Sequence, residues 1–262
     1  MQLRFRSYGH GPALVVLHGL LGSSDNWHTL GNILGNHFHT FILDQRNHGR
    51  SPHADEFNYR VLAEDVREFL RQHGIRSAHV LGHSMGGKTA MQFALTYPNL
   101  VNKLVVVDIA PKPYPALHDE IPDVLTALDM RAYSSRQEVD NALTIRIPDV
   151  AMRQFLLKNL KRDESGSLHW KPNVGVIRDN YAAIAKAVVP SQAFPKPTLF
   201  VRSNRSGYVL DDDIPLITEM FADFKIVTLD AGHWIHAETP EEFGRIVLDF
   251  LEDSPPSGRH EE

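Results

Sequence analysis

The chain contains short segments of apolar residues without interruption, and residues 14–17 and 104–107 are the clearest of them. A strand with one face in water alternates apolar and polar residues, whereas a strand buried on both faces can be apolar throughout. Both faces are buried at the centre of a parallel sheet that helices cover on each side. These segments therefore predict an α/β fold with a mostly parallel central sheet flanked by helices.

Strand-like and helix-like patterns alternate in the first and last parts of the chain. Apolar side chains at helical spacing predict helices over residues 58–73 and 86–97. Thr239 and Glu242 form a capping-box pattern with Pro240 at the first helical position, which predicts a helix through residue 251. The predicted strands are residues 3–7, 13–17, 40–43, 78–81, 103–107, 198–201 and 225–229.

The alternation stops between about residues 111 and 190, where helical patterns follow one another. This segment is interpreted as a helical cap inserted between two strands of one core, which comprises residues 1–110 and 191–252. Residues 253–262 are expected to form a loose tail, because they contain two prolines, a glycine and no apolar pattern. The helices predicted within the cap are residues 120–130, 136–145, 150–160 and 176–187.

Composition excludes several classes of protein. The 27 basic and 32 acidic residues are mixed along the chain, so the electrostatic surface that binds nucleic acid is not expected. The chain has no cysteine, which excludes disulfides, thiolate metal sites and a cysteine nucleophile. No apolar run approaches the roughly 18–20 residues that cross a bilayer, and the first residues lack a signal-peptide pattern. A cytoplasmic protein without membrane insertion is expected, and its oligomeric state is left open.

The 15 histidines are mostly scattered, and neither pair at close spacing matches a common metal motif. His37 and His39 lack a nearby acidic residue, and His233 and His236 are not part of an HExxH pattern. The sequence therefore predicts no metal and no other cofactor.

A glycine-flanked serine is the strongest chemical signal in the chain. Between a predicted strand and a predicted helix stands the segment Gly82-His83-Ser84-Met85-Gly86. This G-x-S-x-G pattern makes a sharp turn that exposes a serine hydroxyl beside a helix N-terminus. An incidental serine in a glycine-rich turn is the other interpretation, and the strand–turn–helix context disfavours it. Ser84 is therefore the predicted nucleophile.

A small-residue turn follows the strand at residues 13–17 and begins with His18 and Gly19. In hydrolases with a G-x-S-x-G turn, such a loop donates one backbone N–H to an oxyanion, and the residue after the nucleophile donates another. Leu20 and Met85 are the predicted donors, with Leu21 as an alternative to Leu20. His18 is expected to tie the loop to a neighbouring segment.

His233 follows the last predicted strand and is the predicted general base. Ligand sites of open α/β sheets collect at the carboxyl ends of the strands, so a histidine there can reach a serine that follows another strand. His236 is expected to pack locally or to form a hydrogen bond with the backbone.

These motifs together resemble the α/β-hydrolase superfamily with a helical cap, and the resemblance covers residues 3–252. The segment from Asp44 to Ser51 resembles the loop that follows the family's fourth strand. Within the superfamily, the sequence is most similar to the YbfF-type bacterial acyl esterases.

The position of the catalytic acid is the point at which this chain departs from the usual family pattern. The usual acid follows the strand after the cap, where this chain has Ser206. The nearest acidic residues are at positions 211–213, and they are expected to favour a helix N-terminus. Asp108 ends a predicted strand next to that of the nucleophile, and YbfF-type esterases are similar in placing their acid there. Asp108 is therefore the predicted acid, with a role in closing the adjacent loop as the alternative.

The resemblance implies a serine carboxylesterase that hydrolyses short- to medium-chain acyl esters of small molecules through an acyl-enzyme. Two alternatives stay open: a hydrolase of carbon–carbon bonds in ring-cleavage diketones, and a receptor of the same fold that binds a small molecule with little turnover. Haloalkane dehalogenases and epoxide hydrolases use an aspartate nucleophile, which Ser84 rules out. The candidate residues for lining the cap side of the pocket are Leu125, Leu128, Phe155 and Trp170.

Overall fold

The computed structural model describes residues 1–115 and 120–253. Seven strands form one sheet, and they are β1 (Phe5–Tyr8), β2 (Ala13–Leu17), β3 (His39–Leu43), β4 (Ala78–His83), β5 (Val101–Val107), β8 (Thr198–Ser203) and β9 (Phe224–Leu229). Their order in the sheet is β1-β3-β2-β4-β5-β8-β9. β1 is antiparallel to β3, and the other pairs are parallel. The predicted fold class is confirmed.

The helices pack on both faces of the sheet, which explains the uninterrupted apolar segments. Leu104 and Val106 of β5 point into one apolar cluster, and Val105 and Val107 point into a second cluster on the opposite face. No described helix combines the length and the apolar composition that crossing a membrane requires. The helices are α1 (His28–Gly35), α2 (Tyr59–Gln72), α3 (Met85–Thr96), α4 (Glu120–Ala127), α5 (Arg136–Leu143), α6 (Val150–Leu157), α7 (Val174–Asp179), α8 (Tyr181–Ala185), α9 (Ile214–Met220), α10 (Ile235–Glu238) and α11 (Pro240–Glu252).

The first residues of α2 and α11 differ in how they are capped, and a capping box was predicted only for α11. At the start of α2, the Asn58 side chain accepts a hydrogen bond from the Val61 amide at 3.1 Å. At the start of α11, Thr239 makes no side-chain cap, so the predicted capping box is wrong. The Thr239 hydroxyl instead donates to the carbonyl oxygen of Ile235 at 3.1 Å. Thr239 also ends α10, and the same Ile235 carbonyl accepts a hydrogen bond from the Thr239 amide at 2.9 Å, so both groups of Thr239 are engaged with α10.

The segment between β5 and β8 contains α4 to α8 and a small antiparallel hairpin of β6 (Leu160–Arg162) and β7 (Leu168–Trp170). The sequence did not predict this hairpin, because strands of three residues are too short to show a period. Its turn is closed by Asp163, whose Oδ1 accepts hydrogen bonds from the amides of Ser165 and Ser167 at 2.9 and 3.0 Å. The helix predicted at 176–187 is divided at Asn180 into α7 and α8.

A third apolar cluster joins this segment to the sheet domain. It combines buried residues that precede β5, such as Leu21 and Met85, with buried residues of α4 to α8, such as Leu156 and Ile177. The segment therefore lies over the carboxyl end of the sheet, where Met85 follows the predicted nucleophile. Most of the predicted tail, residues 254–262, lies outside the described residues.

The start of α3 packs against β2 with no room for a side chain. A Cβ atom on Gly86 would lie 2.3 Å from the carbonyl oxygen of Leu17 and 2.5 Å from that of His18. Backbone atoms cannot swing aside as a flexible side chain can. Gly86, the second residue after the serine, is therefore required by the contact between α3 and β2.

We expect Gly86→Ala to lower the free energy of unfolding by about 2 kcal/mol or more, because the methyl group forces α3 away from β2. Urea denaturation measures the change. Gly175→Ala is the matched control, since its nearest contact would be a side-chain oxygen 3.8 Å away. Equal stability of the two variants would contradict the close packing.

Candidate active site

Ser84 forms a one-residue turn between β4 and α3. Its backbone has φ 53° and ψ −120°, in a region that residues with a side chain rarely occupy. The Ser84 amide donates to the carbonyl oxygen of Val107 at 3.0 Å, which anchors the turn to β5. The side chain is half-buried and lines the cavity beneath the inserted segment.

Asp108 follows β5, the neighbour of β4, and also has a positive φ of 50°. It is fully buried. One carboxylate oxygen accepts a hydrogen bond from the Ser203 amide at 2.9 Å, and the other lies 2.8 Å from Nδ1 of His233. A carboxylate accepts hydrogen bonds, so this contact places the proton of a neutral His233 ring on Nδ1 and leaves Nε2 free to accept one.

His233 lies in the loop between β9 and α10. The ring of Tyr208 stacks on its ring with centroids 4.1 Å apart and an interplanar angle of 21°. Its backbone carbonyl accepts a hydrogen bond of 2.8 Å from Nε2 of His83, the residue before Ser84. Both the ring and the backbone of His233 are therefore held in place.

Two other acidic residues near the end of β8 form ion pairs with basic side chains. Asp211 is 79% exposed and pairs with Arg202 at 2.6 Å, whereas Asp213 pairs with Lys112 at 2.7 Å. They begin the turn that leads into α9, as the sequence predicts. The Ser206 hydroxyl accepts a hydrogen bond from the Tyr208 amide at 3.3 Å.

The loop after β2 brings two backbone amides to the cavity. The Leu21 amide donates to Nε2 of His48 at 3.1 Å and is occupied. Within the described parts of the chain, the amides of Leu20 and Met85 donate to no acceptor, and both residues line the cavity with Ser84. This arrangement favours Leu20 over Leu21 as a donor to a bound oxyanion.

His18 supports that loop from within the protein. Its Nε2 accepts a hydrogen bond from the Gln45 amide at 3.1 Å, and its Nδ1 lies 2.8 Å from the carbonyl oxygen of Gly19. These contacts match the tethering role expected from the sequence. Burial lowers the pKa of His18.

Three more buried histidines surround the site. Burial lowers the pKa of His48 to about 3, that of His236 to about 3, and that of His83 well below its usual value. His236 stacks on Trp27, with ring centroids 4.2 Å apart and planes 1° from parallel, which is local packing as expected. These rings are therefore uncharged near neutral pH.

The cavity is lined by both Ser84 and His233. Phe155 lines it as predicted, whereas Leu125 and Trp170 are buried in the third apolar cluster and Leu128 packs against that cluster. The sequence did not identify several polar residues of the wall, among them Lys88, Tyr59 and Tyr114. The position of Lys88 in the first turn of the helix that follows Ser84 was an available signal, because the start of that helix lies beside the nucleophile.

Comparison with known proteins identifies the family. A family model described as the alpha/beta hydrolase fold matches residues 12–240. The chain belongs to the α/β-hydrolase family. The predicted similarity to YbfF is confirmed, since Esterase YbfF of Escherichia coli is 34% identical over 243 residues, which are 92% of this chain and 93% of that protein.

Two further relatives of this α/β-hydrolase are informative. A solved structure titled "Marine microorganism esterase" is 42% identical, with a TM-score of 0.93, and the match covers 95% of this chain and 99% of that one. The sn-1-specific diacylglycerol lipase ABHD11 of Xenopus laevis is 35% identical over 253 residues, which are 93% of this chain and 81% of that protein.

The buried histidines of this α/β-hydrolase predict a loss of stability in acid. The folded-state pKa of His236 is lowered to about 3, so below an unfolded value of about 6.5 the unfolded chain binds a proton that the folded chain excludes. The free energy of unfolding therefore falls as the pH falls through this window. His236→Phe keeps a ring beside Trp27 but cannot bind this proton. Between pH 7.5 and pH 5, we expect the free energy of unfolding to fall by up to about 2 kcal/mol less in this variant than in the wild type.

Urea denaturation at the two pH values measures this difference. His10→Phe is the control, because His10 is exposed and its replacement leaves the buried rings unchanged. A loss in His236→Phe as large as that of the wild type would contradict the role of the buried ring.

Proposed function

We propose that this α/β-hydrolase is a serine carboxylesterase, with Ser84 as nucleophile, His233 as general base and Asp108 as the acid of the triad. The observation that carries the proposal is the 2.8 Å contact of Asp108 with His233, next to the strained turn at Ser84. The names of the relatives, which include an esterase and a lipase, support the ester class of substrate.

In the proposed reaction, Oγ of Ser84 attacks the ester carbonyl carbon and its proton passes to Nε2 of His233. The amides of Leu20 and Met85 donate hydrogen bonds to the oxyanion that forms. The tetrahedral intermediate collapses, and the departing alkoxide takes the proton from His233 and leaves as the alcohol. Water then attacks the acyl-enzyme by the same route, which releases the carboxylic acid and restores Ser84. The mechanism requires no cofactor.

The contribution of Asp108 is electrostatic. Its carboxylate holds the Nδ1 proton of His233, so that Nε2 faces the nucleophile, and it stabilises the imidazolium that forms during each proton transfer. Complete burial strengthens this interaction, because little water screens it. The Ser203 amide stabilises the second carboxylate oxygen.

Residues 111–190 are proposed to act as the cap over this site. Met152, Phe155 and Leu156 of α6 line the cavity and offer apolar surface to a substrate. Apolar walls suit the acyl chain of a short- to medium-chain ester, whose burial contributes roughly 0.8 kcal/mol per CH₂ group.

A substrate panel tests the class of reaction. Steady-state hydrolysis of p-nitrophenyl esters from acetate to decanoate, with kcat/KM highest for short to medium chains, is the expected result. A single burst without turnover would indicate a receptor of the same fold. Faster cleavage of a ring-cleavage diketone than of every ester would indicate a carbon–carbon bond hydrolase.

We expect Ser84→Ala to lower kcat for p-nitrophenyl butyrate by about 10⁴-fold or more, because the acyl-enzyme cannot form. The measurement is paired with urea denaturation, in which the variant is expected to be at least as stable as the wild type. Retention of a tenth of the activity by a folded variant would disprove the role of Ser84.

The position of the acid is tested by Asp108→Asn, which keeps the shape but can hold the wrong tautomer of His233. We expect kcat to fall by about 10²–10⁴-fold. Asp211→Asn is the matched control and should change kcat less than about tenfold, since Asp211 is exposed and paired with Arg202. The opposite ranking of the two variants would move the acid to the end of β8.

A further inference from the structure

Lys88 is a buried lysine in the wall of the catalytic cavity that the proposed reaction does not use. It follows Ser84 by four residues on α3, and its amide donates to the carbonyl oxygen of Ser84 at 3.1 Å. The residue is 1% exposed and lines the cavity. Its ammonium donates to the carbonyl oxygen of Lys186 at 2.6 Å.

Two tyrosine rings complete the surroundings of this ammonium. Nζ of Lys88 lies 4.8 Å from the ring centroid of Tyr114 and 5.6 Å from that of Tyr59. The Tyr59 hydroxyl donates to the carbonyl oxygen of Ile184 at 2.8 Å, and the Tyr114 hydroxyl donates to that of Tyr208 at 2.6 Å. The rings face the cation, while their hydroxyl protons are engaged elsewhere.

Within residues 1–115 and 120–253, no carboxylate forms an ion pair with Lys88. A buried charge without a counter-ion is costly, and burial lowers the pKa of Lys88 to about 7. Lys112 provides a contrast, because its Nζ lies 5.3 Å from the same Tyr114 ring but pairs with Asp213 at 2.7 Å. Carbonyl oxygens and aromatic rings partly stabilise Lys88, and a full negative charge would do so more strongly.

We propose that the substrate supplies this charge, so that Lys88 forms a subsite for a carboxylate carried by the ester. The inference rests on the proposed esterase function and narrows its substrate class. Ser84 and Lys88 line the same cavity, so one bound ester can place its carbonyl at Ser84 and its carboxylate at Lys88. It could belong to the acyl part or to the alcohol part of the ester.

Two matched pairs of esters distinguish a carboxylate on the acyl part from one on the alcohol part. The acyl-side pair is monomethyl glutarate and the methyl ester of glutaramic acid; the alcohol-side pair is carboxymethyl butyrate and carbamoylmethyl butyrate. Within each pair, a neutral amide replaces the carboxylate at nearly the same size. The measured quantity is the ratio of kcat/KM for the anion to that for the amide, with products quantified by chromatography.

For the wild type at pH 6.5, we expect this ratio to exceed about 10 in at least one pair. The ratio should fall towards 1 at pH 9, as Lys88 loses its proton. Burial raises the pKa of both Tyr59 and Tyr114, so neither ring becomes charged in this range. Asp108 and His233 act on both esters of a pair, so their contribution cancels in the ratio.

Lys88→Met should reduce the ratio at least about tenfold and make it independent of pH, whereas Lys112→Met should leave it unchanged. A purely structural lysine would instead lower kcat/KM of both esters equally. If the ratio for the wild type is at or below 1 in both pairs, the proposed carboxylate subsite is disproved, and this result needs only the wild-type enzyme. Hydrolysis of the neutral esters in that case would leave the esterase proposal standing, whereas failure to hydrolyse any ester would overturn both.

Discussion

The turn at Ser84 is the constraint on which the rest of the site depends. A non-glycine residue with a positive φ costs on the order of 1–3 kcal/mol, and the surrounding structure must supply that energy. The Ser84 amide is bonded to β5, and Gly86 lets α3 approach β2 within backbone contact. Because α3 starts directly after the turn, the same constraint fixes the Met85 amide and the side chain of Lys88.

The register of the sheet explains why an acid at the end of β5 can serve this serine. His83 of β4 is paired with Val107 of β5, so Ser84 and Asp108 leave the sheet side by side. The end of β8, where the usual acid would follow, contributes the Ser203 amide to the Asp108 carboxylate instead. The carboxylate thus reaches His233 from the neighbouring strand, and Ser206 is not needed for that contact.

The sequence was sufficient for the sheet and for the residues at its carboxyl edge, because both depend on local patterns. Uninterrupted apolar segments mark buried strands, and the flanking glycines of Ser84 mark the turn. The contact of Asp108 with His233 was predicted from strand order and a family resemblance, since the two residues are 125 positions apart. Occupation of the Leu21 amide by His48 could not be predicted, because it depends on how two loops meet.

The parts that the sequence did not predict share a physical cause. The Thr239 hydroxyl donates to the carbonyl oxygen of Ile235 in α10, the preceding helix. The pattern of residues 239–242 contains no information about that helix. The charge environment of Lys88 likewise depends on rings from α2 and from the start of the inserted segment. Helix and strand propensity describes a residue within its own element, whereas each of these contacts joins two different elements.

Burial gives this site its electrostatic character. The rings of His48, His83 and His236 are uncharged because water is excluded from them, so they add no positive charge that would compete for Asp108. The Asp108 carboxylate has two donors and is available to stabilise an imidazolium at His233. The same exclusion of water strengthens the electrostatic interactions of any charged group that remains in the cavity wall. A cation at Lys88 therefore acts on a bound ester more strongly than a surface lysine would, and its effect depends on whether the ester carries a negative charge.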